Sequence, residues 1–165
     1  MKKGTHVRID NRLLHGQVVQ FWIPSLEVQR LVIADEATAM DRTLVSLYRM
    51  VMPKNVALDV VTPADLSQAL ASDEAAASTL VLLGNVADAV SARRGGFAFD
   101  RLTIGNVHAG GERTRVTDSV YLSEEELASL LELKREGAAV EIQSFPGEQF
   151  RLELDDRGGP VWVKR

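Results

Sequence analysis

Short runs of branched apolar residues alternate along this chain with amphipathic segments, and this alternation is the strongest constraint on its fold. Most runs are too short for a helix and suit strands that helices cover on both faces. The predicted strands cover residues 6–10, 30–34, 56–61, 80–83, 101–104, 119–122 and 140–142. With right-handed crossovers, this order predicts an α/β fold: a single doubly wound, mostly parallel sheet with helices on both faces.

The segments between the predicted strands carry the start and stop signals of helices. A helix from about residue 16 to 23 is expected to stop at Pro24, because proline cannot continue a helical hydrogen-bond ladder. Asp35 is expected to cap a longer helix that ends before Pro53. Further helix starts lie at 62–65, 85–88 and 123–126, with ends near 71, at 95–96 and at 137. Residues 72–78 form a polar link.

The end of the chain has a different pattern. Residues 151–154 and 161–163 alternate with period two around Gly158 and Gly159, which predicts a C-terminal β-hairpin. A length of 165 residues is close to the usual size of one domain, about 150 residues. We therefore expect a single domain over residues 1–165, with residues 151–165 as a hairpin tail.

Composition excludes several classes of function. The net charge of −4 disfavours a nucleic-acid partner, since such binding depends on clustered lysine and arginine. The absence of cysteine excludes a thiol nucleophile, a disulfide scaffold and thiolate metal sites. No run approaches the ~20 apolar residues of a membrane helix. We expect a cytoplasmic protein, which membrane partners could still hold at the inner face of the membrane.

The loop after the first predicted strand concentrates the chemically active residues. In doubly wound sheets, ligands bind beyond the carboxyl ends of the strands. Period two places Arg8 and Asp10 on one side of the strand, and His15 lies beside the start of the next helix. Helix N-terminal amides attract anions, and the guanidinium groups of Arg8 and Arg12 match the geometry of phosphate oxygens. The loop therefore predicts a phosphate site.

A phosphate site does not by itself require a histidine, so His15 needs a separate interpretation. A neutral imidazole can attack phosphorus through a free ring nitrogen while a carboxylate such as Asp10 orients the other nitrogen. Alternatively, His15 packs or caps at a turn while Arg8 and Asp10 form a structural ion pair. Spacing alone leaves both interpretations open.

Residues 8–18 read Arg-Ile-Asp-Asn-Arg-Leu-Leu-His-Gly-Gln-Val. This segment resembles the signature R-I-D-D-R-L-(I/L)-H-G-Q-V of the IIB components of the mannose/fructose/sorbose class of the bacterial sugar phosphotransferase system. A looser resemblance extends over about residues 5–146. The signature is long and specific, and it favours the catalytic interpretation of His15.

The resemblance implies a reaction and partners. His15 would accept a phosphoryl group on Nδ1 from a phosphohistidine of a IIA protein or domain, and pass it to a sugar entering through membrane IIC and IID subunits. The transfer would need no metal or other cofactor, and sugar selection would lie in the membrane subunits. The expected phosphate-binding or orienting residues are Arg8, Asp10, Asn11, Arg12, Gly16 and Gln17.

The chain departs from the family pattern at three places. Asn11 replaces the second aspartate of the signature. Val86 replaces a proline that in the family commonly follows the asparagine after the fourth strand, which is Asn85 here. Gly105-Asn106 keeps one glycine of a Gly-Gly pair. His108 follows in the same loop and is a secondary site candidate, although a solvated loop histidine is the simpler interpretation.

Two other functions fit parts of the pattern. A regulatory phospho-switch would be phosphorylated on His15 without transporting sugar, and the sequence does not separate it from a transporter component. A receiver-like domain phosphorylated on aspartate is disfavoured, because Val60-Val61-Thr62 stands where that aspartate would end the third strand. The apolar faces and the hairpin permit a homodimer without requiring one.

Overall fold

The computed structural model describes residues 4–71, 78–145 and 147–165. Within these residues, ten strands form a main sheet of eight and a small sheet of two. The strands are β1 (Thr5–Asp10), β2 (Arg30–Ala34), β3 (Ala57–Val61), β4 (Thr79–Leu83), β5 (Arg101–Asn106), β6 (Thr114–Arg115), β7 (Tyr121–Leu122), β8 (Ala139–Ile142), β9 (Phe150–Leu154) and β10 (Pro160–Lys164).

The strand order of the main sheet is β3-β2-β4-β1-β5-β8-β9-β10. The strands from β3 to β8 run parallel, whereas β9 and β10 form an antiparallel hairpin attached to β8. β1 lies between β4 and β5, where the winding of the chain changes direction and the carboxyl ends of three strands meet. The expected doubly wound, mostly parallel sheet and the C-terminal hairpin are confirmed.

Helices cover both faces of this sheet. They are a π-helical turn (Val18–Trp22) that continues as α1 (Ile23–Ser25), then α2 (Glu36–Met40), α3 (Arg42–Val51), α4 (Leu66–Ala71), α5 (Val86–Arg94) and α6 (Glu124–Arg135). On one face, α4, α5 and α6 pack on a core that includes Ile9 and Ile104. On the other face, Trp22 and neighbouring residues pack on Leu31 and Leu82. Alternate residues of the central strands thus enter two separate cores.

Two helix predictions need correction. The first helix does not stop at Pro24, which lies inside α1. The preceding π-helical turn bonds Ile23 N–H to Val18 O, and Leu26 N–H still reaches Trp22 O, so the missing proline N–H does not end the helix. The helix capped by Asp35 breaks at Asp41, whose side chain accepts from Leu44 N–H and starts α3.

The prediction of a strand over residues 119–122 is also only partly right. Tyr121–Leu122 pairs with Thr114–Arg115 in the small sheet, and Val120 makes a single bridge to Val107. The segment therefore folds back on the loop after β5 and does not join the main sheet. Residues 72–77 of the predicted polar link lie outside the described residues.

An ion pair between a buried glutamate of β8 and a partly exposed arginine of β9 links the hairpin to the sheet. The Glu141 side chain in β8 is only 2% exposed and accepts from Arg151 Nη2 at 2.6 Å and Nε at 3.1 Å. The pair favours the register that places Arg151 opposite Glu141, because the buried Glu141 carboxylate would be costly without a cation beside it. Within the described residues, we find no helix whose length and hydropathy would allow it to cross a membrane.

Candidate functional site

The site begins where the central strand ends. Asp10 is the last residue of β1 and is fully buried, and the register of β1 against β5 shifts between Ile9 and Asp10. The chain then turns sharply: Leu13 N–H bonds Asp10 O at 2.9 Å, and Leu13 has a φ of 53°. A positive φ is unusual for leucine and is held here by its buried side chain. This turn brings His15 back over Asp10.

His15 and Asp10 form the centre of the site. Nε2 of His15 lies 2.9 Å from Oδ2 of Asp10, and Nδ1 accepts from the Gln17 amide at 3.3 Å. Because an ionised carboxylate only accepts hydrogen bonds, Asp10 holds the proton of His15 on Nε2. The lone pair is then on Nδ1, at the start of the helical segment. With 14% of its side chain exposed, His15 is accessible at the surface.

Arg12 lies on the exposed side of the same carboxylate. Its backbone N–H donates to Asp10 Oδ1 at 3.1 Å, and its guanidinium Nε is 3.7 Å from that oxygen. Nη2 donates to Gln17 Oε1 at 2.9 Å, and 39% of the side chain is exposed. The structure thus brings together Asp10, Arg12, His15 and Gln17, and Gly16 lies between the last two.

Arg8 approaches Asp10 from the interior. It is 2% exposed, its Nη2 is 3.6 Å from Asp10 Oδ2, and its Nη1 donates to Gln143 O at 2.8 Å. The guanidinium stacks 4.2 Å from the centre of a Trp22 ring. Burial lowers the pKa of Arg8 to about 10, partly offset by Asp10, so the group is charged at neutral pH. Arg8 therefore contacts Asp10 and Trp22, not the exposed side of His15.

Gly105 in β5 provides the space for the Arg8 guanidinium. A Cβ at position 105 would lie 1.8 Å from Nη2 and 2.0 Å from the central guanidinium carbon. Contacts this short are impossible, so any side chain here would displace Arg8 from its position beside Asp10. Sequence reasoning noted this glycine as a remnant of the family pattern, but not the arginine that requires it.

Asn11 connects the His15 loop to the two neighbouring loops. Its Nδ2 donates to Gly84 O at 2.5 Å, and its Oδ1 accepts from the His108 amide at 2.7 Å. The exposed His108 ring has Nδ1 3.3 Å from Asn106 Nδ2. His108 therefore belongs to the loop that borders the site, and its backbone is bonded to Asn11.

Two carboxylates flank Gly84 beside this junction. Gly84 N–H donates to Asp88 Oδ2 at 3.2 Å, and a Cβ at Gly84 would lie 2.9 Å from Asp35 Oδ1. Burial and then the nearby Asp35 raise the pKa of Asp88 from 3.8 to about 6. Within the described residues, no group of three or more histidine, aspartate or glutamate side chains is placed to hold a metal ion.

The raised pKa of Asp88 predicts how stability depends on pH. The folded protein binds the Asp88 proton more tightly than the unfolded chain does. The stabilisation that Asp88 gives when protonated is therefore fully present below pH 3.8 and is lost as the pH rises through 6. We expect Asp88→Asn to raise the free energy of unfolding at pH 7.5 relative to wild type by about 1 kcal/mol, after allowance for solvent screening. Asparagine keeps the acceptor for Gly84 N–H. Urea unfolding between pH 4 and 7.5 measures the difference.

The control for this prediction is Glu124→Gln, which also removes a first-turn carboxylate from a helix but at an exposed position. A difference between wild type and Asp88→Asn that stays constant from pH 4 to 7.5, or that matches Glu124→Gln, would contradict the prediction.

Comparison with known proteins agrees with this architecture. The family model of the PTS system sorbose subfamily IIB component matches residues 5–155. The fructose-specific EIIB component of Bacillus subtilis is 27% identical over 142 residues, which cover 86% of this chain and 87% of that protein. The crystal structure of manxB from Thermoanaerobacter tengcongensis is 28% identical, with a TM-score of 0.79 over 90% of this chain and 93% of that one.

A fold and a loop of this kind define a phosphotransferase component of sugar transport. The chain belongs to the sorbose subfamily of IIB components of the phosphotransferase system. The mannose-specific EIIAB component of Escherichia coli is 26% identical to this chain over 137 residues. These residues cover 82% of this chain and 42% of that protein.

Proposed function

We propose that His15 carries the phosphoryl group, accepting it from a phosphohistidine of a IIA protein and passing it to a sugar delivered by membrane IIC and IID subunits. One observation supports this most directly: Nε2 of His15 is hydrogen-bonded to the buried Asp10 carboxylate, and Nδ1 lies at the start of a helical segment. That arrangement supports Nδ1 as the nucleophilic atom, with the phosphoryl group at the start of the helical segment.

In the first step, the Nδ1 lone pair of His15 attacks the phosphorus on the donor. A new N–P bond forms while the N–P bond of the donor breaks, and the donor imidazole keeps the electron pair. Bond formation places positive charge on the His15 ring, because Nε2 keeps its proton. The Asp10 carboxylate, 2.9 Å from Nε2, stabilises that charge, and Arg8 in turn balances Asp10 from the interior.

The phosphoryl oxygens need donors on the exposed side of the ring. The Gln17 amide, 3.3 Å from Nδ1, can pass its hydrogen bond to a phosphoryl oxygen. The Gly16 amide and the Arg12 guanidinium supply further donors, and Asn11 orients the loop. In the second step, a sugar hydroxyl oxygen attacks phosphorus, the bond to Nδ1 breaks, and the hydroxyl proton leaves to solvent.

The test is to incubate the protein with a phosphorylated IIA protein and to characterise the product. We expect an adduct that is stable in base and labile in acid, as a phosphoramidate is. Phosphorus and nitrogen NMR should assign it to Nδ1 of His15. A base-labile adduct, or one assigned to Nε2 or to another residue, would contradict the proposal.

A strain that lacks the gene separates transport from regulation. We expect loss of uptake for one sugar and recovery on complementation. Unchanged uptake of all sugars, together with phosphorylation of His15, would favour the regulatory phospho-switch.

A further inference from the structure

Three loops at the carboxyl edge of the sheet meet at one side chain. Asn11, in the loop after β1, donates through Nδ2 to Gly84 O after β4 and accepts through Oδ1 from the His108 amide after β5. Its backbone N–H donates to Asn106 O at 3.0 Å. A single residue therefore bonds the His15 loop to both neighbouring strands of the sheet.

The far side of the His108 loop is also fixed. Arg113 donates through Nη1 to His108 O at 3.1 Å. The same guanidinium pairs with both oxygens of Glu126 at 2.9 and 2.7 Å, and Glu126 accepts from Ser123 N–H at the start of α6. The two peptide groups of His108 are thus held from opposite sides, by Asn11 and by an arginine anchored on α6.

We propose that Asn11 is a positioning residue for phosphoryl transfer at His15, holding the loops after β4 and β5 against the His15 loop before any partner binds. The inference rests on the proposed function of His15. Asn11 lies between Asp10 and Arg12, so a change in its position moves both the carboxylate that orients the ring and the exposed guanidinium. Misplacement of reacting groups by about 1 Å is enough to slow a transfer strongly.

The amide group is what this position requires in this chain. The side-chain amide donates to the Gly84 carbonyl through Nδ2 and accepts from the His108 amide through Oδ1, so one planar group makes both bonds. Aspartate, which stands here in the family signature, could keep the bond to His108 but not the bond to Gly84. Asn11→Asp therefore removes the bond to Gly84 alone, and Asn11→Ala removes both bonds.

The test compares Asn11→Asp and Asn11→Ala with wild type and with Asn85→Asp. Asn85 caps α5 by accepting from Asp88 N–H at 2.9 Å, and its side chain donates no hydrogen bond to the described residues. Asn85→Asp therefore makes the same change of atom and charge next to Gly84 without breaking a hydrogen bond. We expect kcat for phosphorylation of His15 to fall about threefold in Asn11→Asp and about tenfold in Asn11→Ala, each lost bond contributing modestly. KM for the phosphorylated IIA protein should not change, nor should kcat of Asn85→Asp.

Hydrogen exchange gives a second measurement that needs no activity. The His108 amide should exchange slowly in wild type and in Asn11→Asp, and fast in Asn11→Ala. Wild-type kcat in both folded Asn11 variants, equal losses in Asn85→Asp, or fast exchange of this amide in wild type would overturn the positioning role. Wild type that is not phosphorylated on His15 would instead overturn the proposed function.

Discussion

His15→Ala is expected to abolish the phosphoryl adduct. In the proposed transfer the His15 imidazole supplies the attacking lone pair, and an alanine side chain has no group that could attack phosphorus. The variant should still fold, since Asp10 keeps the Arg12 amide and the Arg8 guanidinium as partners. Circular dichroism checks the fold, and transfer from a phosphorylated IIA protein checks the reaction.

The chain has three histidines, so each can be tested in turn. His6 and His108 serve as controls, because neither bonds Asp10. His6→Ala and His108→Ala should both yield the acid-labile adduct at levels close to wild type. An undiminished adduct in His15→Ala, or its loss only in His108→Ala, would place the phosphoryl group elsewhere.

Asp10→Asn is expected to slow phosphorylation by on the order of 10²-fold or more. Oδ1 of Asp10 accepts from the Arg12 amide, so the amide oxygen of asparagine would take that place. The NH2 group would then face His15 Nε2 and donate to it. The ring proton would move to Nδ1, which is the nitrogen that has to attack.

The matched control for this change is Asp41→Asn. Asp41 caps α3 by accepting from Leu44 N–H at 2.9 Å, a bond that asparagine can keep. Nitrogen NMR of His15 should show a proton on Nε2 in wild type and in Asp41→Asn, and on Nδ1 in Asp10→Asn. Rapid transfer by Asp10→Asn with the proton on Nδ1 would refute this account of the tautomer.

The sequence predicts the strands of the main sheet better than the helices. Strand runs such as 30–34 are bounded by clear polar residues, and the structure reproduces that span as β2. The capping role of Asp41 is not apparent from the sequence, because an aspartate inside an amphipathic pattern looks like a solvent-facing residue. It becomes a cap only when the chain must turn to follow the sheet.

The sequence likewise predicts only part of the candidate site. The family signature favours a pairing of Asp10 with His15, which the spacing of the two residues alone leaves open. The interior position of Arg8 depends on Trp22, Gln143 and Gly105, of which the last two are distant along the chain. No local pattern contains that information, since it is set by how β5 and β8 lie beside β1.

The close approach of the Arg8 guanidinium to Gly105 has a consequence for how this protein family can diverge. An arginine at position 8 and the lack of a side chain at position 105 form a complementary pair of shapes on adjacent strands. Substitutions at positions 8 and 105 should therefore covary. Relatives with alanine at position 105 are expected to have a residue smaller than arginine at position 8. Such correlated substitution would mark the two positions as one evolutionary unit.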